Sequence, residues 1–162
     1  MAEPNAALVP LSWDHHHGLA LALRLQQGEG ALLSDGWTHD PAEQAERVLE
    51  YFESELRIHF ACEEQVLFPV VRAFAPDAGP LLDRLIQDHR DIVTKVMGLG
   101  SKEHSMLRQE LASIGTTLKG HIRTEERMLF PLCESRLSES ALNTLGRDLL
   151  EMHGGSERRS GA

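Results

Sequence analysis

Apolar positions along this chain recur at three- and four-residue steps, and no stretch alternates, so the pattern predicts helices and no strands. A first helix is expected from a Ser12 or Asp14 cap to about Leu33, with Leu19 and Ala22 on one side. A second starts at Pro41 and runs to about Ala75, with Val48, Phe52, Glu55, His59, Glu63 and Val66 or Leu67 along one face. A third spans about 80–99, striped by Leu82, Leu85, Ile86, His89, Ile92, Val93 and Val96. A fourth spans about 103–134, with Leu107, Leu111, Ile114, Leu118, His121, Glu125, Met128 and Leu129 on its inner face. A fifth, shorter helix covers about 139–153, with Leu142, Leu145, Leu149 and His153 on one side. Pro69 lacks an N–H and should kink the second helix or loosen its hydrogen bonding. Short connections between four long amphipathic helices imply an all-α, antiparallel up-down four-helix bundle with a short C-terminal helix added. The expected layout is an N-terminal arm over 1–10, the bundle over 11–153 and a disordered tail over 154–162. Between Gly28 and Asp40 lies a predicted surface loop, with Trp37 over the core.

The polar residues on those inner faces form a repeated phrase. It reads His59-x-x-x-Glu63-Glu64-x-x-Leu67-Phe68-Pro69, then His121-x-x-x-Glu125-Glu126-x-x-Leu129-Phe130-Pro131. Residues four apart share a helix face one turn apart, so each copy offers an imidazole and a carboxylate to one point. The bare His-x-x-x-Glu spacing also occurs at His39/Glu43, with Pro41 inside it, and at His153/Glu157, broken by Gly154-Gly155. Only the two extended copies lie within helical patterns. Asp14-His15 and Asp88-His89 open the two halves in the same way, which predicts an internal two-fold repeat. Helical phase turns His15 inward, His16 to the flank and His17 outward. His16 stays an alternative, because His16-x-x-Leu19 mimics His89-x-x-Ile92.

Four His and two Glu on inner faces need partners, since a buried imidazole or carboxylate without one costs several kcal/mol. Two facing carboxylates would also repel and raise each other's pKa, and a cation between them removes the conflict. Nitrogen and oxygen donors without a thiolate suit iron, manganese or zinc. Two carboxylates among four imidazoles suit two ions bridged by the carboxylates, with two His on each. The Glu-x-x-His signature of ferritin-like di-iron bundles is missing.

Composition narrows the partners. A net charge of −9 argues against nucleic acid or an anionic membrane. The longest apolar run, Leu19 to Leu23, is far short of a membrane span, and Met1-Ala2-Glu3-Pro4 has no basic leader, so a cytoplasmic location is expected. Cys62 and Cys133 form no Cys-x-x-Cys motif and imply no disulfide framework.

The pattern His15…His59-x-x-x-Glu63…His89…His121-x-x-x-Glu125, with both Leu-Phe-Pro tails, resembles the hemerythrin-like (HHE) domain family over roughly residues 11–135. The resemblance implies a four-helix bundle around a non-haem di-iron centre. Its implied iron ligands are His15 (or His16), His59, His89 and His121, with Glu63 and Glu125 bridging two Fe2+/Fe3+ ions that are also oxo- or hydroxo-bridged. The chain departs from the oxygen-carrying hemerythrins in having Val93 where they carry a further His. It also has Glu126 where they carry an Asp. One ion therefore lacks its third imidazole, which moves the expectation from oxygen carriage to an open centre. It is similar to bacterial HHE proteins associated with O2 or NO sensing, peroxide chemistry, iron handling or iron–sulfur repair. The last branch typically has an N-terminal paired-Cys domain, for which residues 1–10 leave no room.

The expected function is binding or reaction of O2, NO or peroxide, for sensing, scavenging or iron handling. The alternatives are a catalytic peroxidase or catalase-like di-iron enzyme, and a metal-dependent helical interaction module. Around the ligands, Glu64 and Glu126 are candidates to tune the centre, but each lies about 140° from its own His by helical phase, so a solvated place or an inter-helix ion pair is expected. Glu55 is a candidate hydrogen-bond partner of His59, Cys62 a packing residue or redox neighbour, and His153 either a lid on the bundle or, the favoured reading, a residue stabilised by a helix C-terminus.

Overall fold

The structure, a computed structural model, describes residues 3–27 and 36–160, with side chains to residue 154. A 3-10 turn over Ala6–Leu8 leads straight into helix α1, Val9–Gln27. The Asn5 side chain caps this turn by accepting the Ala7 N–H. The predicted arm is therefore ordered in its second half, with Ala7 and Leu8 buried. Pro10 does not interrupt the helix, because an N–H is not used at its second position. Residues 28–35, in which the predicted end of α1 and most of the Gly28–Asp40 loop fall, lie outside the described residues. Trp37, at the end of that loop, is buried in the core as expected.

Helix α2 runs from Pro41 to Phe74 as three α segments, Pro41–Tyr51, Arg57–Cys62 and Phe68–Phe74. Asp40 caps its start by accepting the Ala42 N–H. Two π turns, Phe52–Leu56 and Glu63–Leu67, join the segments. Helix α3 is Gly79–Gly98. Helix α4 comprises His104–Thr124, a π turn over Glu125–Leu129, and Phe130–Arg136. Helix α5 is Glu139–Ser160. It continues through Gly154 and Gly155, past both its expected end at His153 and the start of the expected disordered tail. Among the described residues there is no strand, and no helix is long and apolar enough to cross a membrane.

Two of the π turns have a chemical cause in the sequence. Pro69 and Pro131 have no N–H to give the carbonyl four residues back, and their rings crowd it. The ladder widens by one residue just before each proline, so that the Phe68 N–H donates to the Glu63 carbonyl and the Phe130 N–H to the Glu125 carbonyl. No proline follows the Phe52–Leu56 turn. Met128, expected inside, lies within the Glu125–Leu129 turn, where α-helical phase no longer holds, and is exposed.

The core falls into two apolar halves. One contains Ala22 and Leu25 of α1, Val48 to Phe60 of α2, Ile92 and Val96 of α3, and Leu107 to Ile122 of α4. The other contains Leu8 and Leu11, then Cys62 to Val71, Leu82 and Leu85, and Leu129 to Cys133, with Leu145 and Leu149 of α5. Helices α1 and α3 run from the second half to the first, and α2 and α4 run back, which is the antiparallel up-down order. On each helix the crossing between halves falls at a histidine: His15, His59, His89 and His121. Gly18 and Gly115 let α1 lie very close to α4. A Cβ at Gly18 would stand 2.8 Å from Ile122 Cδ1, and one at Gly115 would stand 2.7 Å from the Ala22 carbonyl oxygen.

Candidate metal centre

The polar layer between the two apolar halves consists of His15, His59, Glu63, His89, His121 and Glu125, each at most 3% exposed. His16 and His17 are exposed, so helical phase had selected the inward histidine of α1 correctly. Every imidazole turns its Nε2 to the middle. His15 Nε2 lies 2.9 Å from Glu125 Oε2 and 3.7 Å from Glu63 Oε1, and His59 Nε2 lies 2.9 Å from Glu63 Oε1. Across the layer, His89 Nε2 lies 2.9 Å from Glu63 Oε2, and His121 Nε2 lies 3.2 Å from Glu125 Oε1. Each carboxylate thus directs one oxygen to the His15/His59 pair and the other to the His89/His121 pair. Two overlapping groups result, His15–His59–Glu63–Glu125 and Glu63–His89–His121–Glu125, and in each the donor atoms lie within 4.8 Å of one another.

Several of these contacts are close without being hydrogen bonds. His15 Nε2, Glu63 Oε1 and both oxygens of Glu125 are buried and make no hydrogen bond of acceptable geometry. Atoms that converge on a point without aligning on each other are arranged for a cation at that point, because an unmet buried polar atom is costly. The donors are nitrogen and oxygen only, a set that fits iron, manganese or zinc.

A ring of outer carboxylates fixes the imidazoles. His15 Nδ1 meets Glu126 Oε1 at 2.7 Å, His59 Nδ1 meets Asp14 Oδ2 at 2.9 Å, His89 Nδ1 meets Glu64 Oε1 at 2.7 Å, and His121 Nδ1 meets Asp88 Oδ2 at 3.2 Å. An ionised carboxylate can only accept, so the proton of each neutral ring sits on Nδ1 and the Nε2 lone pair faces inward. The ring obeys the internal two-fold: Glu126 on His15 mirrors Glu64 on His89, and Asp14 on His59 mirrors Asp88 on His121. The Leu-Phe-Pro tails also act here. Phe130 stacks on His15 with ring centres 5.2 Å apart, and Phe68 stacks on His89 at 5.8 Å.

Glu64 and Glu126 stand in inter-helix ion pairs, as expected, and their partners are the His89 and His15 rings of the inner layer. Two expectations are corrected. Glu55 pairs with exposed His17 at 3.3 Å rather than with His59, because the Phe52–Leu56 π turn rotates it out of line. His153 is not at a helix end. Its Nε2 lies 3.0 Å from both oxygens of Asp14, so α5 contributes to the outer ring. Cys62 is buried in the second apolar half, and burial pushes its thiol up to about 11, consistent with a packing role.

Without a metal, protons supply the positive charge the layer needs. Burial disfavours the charged rings, yet the facing Glu125, Glu126 and Glu63 carboxylates hold His15 well above the usual imidazole value. Glu125 and Asp88 do the same for His121. Burial is likewise overcome at His59, which Glu63 and Asp14 raise to about 9. Burial would raise Glu63, but the pull of His59 and of the nearby His121 and His15 rings outweighs it and holds the carboxyl well below the usual range. Glu125 is lowered too, His121 and His15 prevailing over burial and over repulsion from Glu63.

No curated protein and no solved structure matches this chain. The hemerythrin HHE cation binding domain matches residues 11–133, a segment that holds all six inner residues and all four outer carboxylates. With that match over most of its length, and with two buried His/Glu groups able to hold metal ions, the chain belongs to the hemerythrin HHE cation-binding domain family.

Proposed function

We propose that this protein is a non-haem di-iron protein that binds or reacts with O2, NO or peroxide, in sensing, scavenging or iron handling. The observation that carries the reading is the orientation of Glu63 and Glu125, each with one oxygen toward each histidine pair. Two cations, one beside each histidine pair, would account for that orientation. His15 and His59 would hold one iron, His89 and His121 the other. Two adjacent irons with open positions would supply small-ligand binding and a two-electron change.

The chain's own residues set the conditions for that chemistry. Asp14, Glu64, Asp88 and Glu126 keep the four Nε2 lone pairs aimed inward and make the imidazoles stronger donors. Phe68, Phe130 and the two apolar halves limit water around the centre. Glu63 and Glu125 would each offer one oxygen toward either ion and offset its positive charge. No described side chain besides these stands out as a proton donor at the inner layer, which favours a binding or sensing role over a dedicated peroxidase.

Iron analysis and an optical spectrum of aerobically purified protein test the reading. About two irons per chain with near-ultraviolet absorption that changes on adding NO or peroxide is the expected result. A colourless protein holding a single zinc ion would defeat it.

A further inference from the structure

The internal two-fold relates α1 to α3 and α2 to α4, so the seam between α1 and α4 corresponds to the seam between α3 and α2. The two seams are built differently. Between α1 and α4, Gly18 faces Ile122 and Gly115 faces Ala22 so closely that a Cβ on either would collide. At the position related to Gly18, α3 has Ile92, and at the position related to Ile122, α2 has Phe60. The α2–α3 seam does not close. It leaves a cleft of about 400 Å3 lined by Phe60, Glu64, His89 and Val93 among others. Phe60 stacks on the His89 ring, with centres 3.9 Å apart and planes 19° from parallel.

Helix α5 adds to the difference. It buries Leu145 and Leu149 against the second apolar half and sets His153 on Asp14, the residue that holds His59, so the outer side of His59 is covered. The cleft instead reaches one of the other pair, His89, beside a valine that offers no donor.

We propose that the small ligand enters through the α2–α3 cleft and is held on the His89/His121 half of the centre, with Phe60 and Val93 deciding what passes. This rests on the reading of the centre as a ligand-binding di-iron site. The route suits a small neutral molecule such as O2, NO or hydrogen peroxide. At His89 the cleft wall combines the apolar Phe60 and Val93 with Glu64, whose carboxylate already occupies the His89 Nδ1, so no free donor or charge there calls for a larger polar ligand.

Two measurements test this, and the first needs no iron chemistry. In crystals of the purified protein pressurised with xenon, xenon is expected beside Phe60 and Val93, and is expected to be displaced in Val93→Phe. Absence of xenon from the cleft overturns the proposal. In the second, NO association with the iron-loaded protein is expected to slow about tenfold in Val93→Phe and to be as fast or faster in Val93→Ala, with iron content and melting temperature unchanged. Equal rates in all three proteins overturn the proposal. If the wild type carries two irons and takes up no NO or peroxide at all, it is the proposed function that fails, and the xenon result alone then decides whether the cleft admits small apolar molecules.

Discussion

Glu126 of α4 lies 2.7 Å from Nδ1 of His15 on α1, reaching across the seam to hold a histidine that is not its neighbour in sequence. Glu64 does the same for His89 at 2.7 Å. The doubled Glu-Glu of the repeated phrase therefore divides its work: the first Glu of each copy faces the inner layer, and the second holds a histidine of the next helix. Replacing Glu126 or Glu64 with Gln should weaken metal binding by about ten- to hundredfold, as expected for loss of a carboxylate that orients a ligand. Competition with a coloured chelator measures this, and affinities equal to wild type would show that the outer ring does not orient the centre.

His15 and His16 are adjacent, yet only His15 is buried. His16→Ala should retain about two metal ions per chain, whereas His15→Ala should lose stoichiometric binding at its half of the centre. Metal analysis after gel filtration reads this directly. Loss in His16→Ala with full retention in His15→Ala would reverse the assignment.

His153 reaches the centre through Asp14, on the His59 side of the layer. His153→Ala should therefore weaken one of the two metal-binding steps and leave the other at its wild-type affinity. His153→Gln, which can still donate to Asp14, should restore much of the loss. A two-step titration followed by calorimetry separates this from a general loss of fold, which would lower both steps together.

The protonation of the metal-free layer makes stability depend on pH in a direction that metal should abolish. His59 titrates at about 9 in the folded chain against 6.5 ordinarily. A raised folded value means that its contribution is complete below 6.5 and is lost as pH rises through about 9. His15 and His121 are shifted the same way. Glu63 and Glu125 are shifted down, so their contribution is present above 4.5 and is lost in acid. The metal-free protein should melt highest between about pH 5 and 6.5 and progressively lower toward about pH 9.5. With metal bound the imidazoles are neutral throughout, and the alkaline decline should disappear. Parallel melting curves for chelator-treated and loaded protein that decline alike would contradict this.

Much of the centre was legible before the structure because its residues obey a local rule. His59/Glu63 and His121/Glu125 are one helical turn apart, and their Leu-Phe-Pro tails set them apart from the broken spacings at His39 and His153. His15 was picked from its neighbours by phase along an uninterrupted helix. The four-helix order followed from the apolar stripes. What escaped were relations that local rules do not carry. For Glu64 and Glu126 the spacing pointed to inter-helix ion pairs but could not say that His89 and His15 would be the partners. Glu55 was aligned with His59 by a periodicity that the Phe52–Leu56 turn breaks. His153 depends on how α5 docks, and its run through Gly154-Gly155 defied the usual reading of a glycine pair as a stop. The matching Asp14-His15 and Asp88-His89 pairs were visible as a repeat, but the partners of the two aspartates, His59 and His121, were not.

Anomalous diffraction at the iron absorption edge, from crystals of the protein loaded with iron, tests the central claim most directly. Two peaks are expected within the bundle, one against the Nε2 atoms of His15 and His59 and the other against those of His89 and His121, with Glu63 and Glu125 between them. A single peak, or iron placed outside this layer, would contradict it.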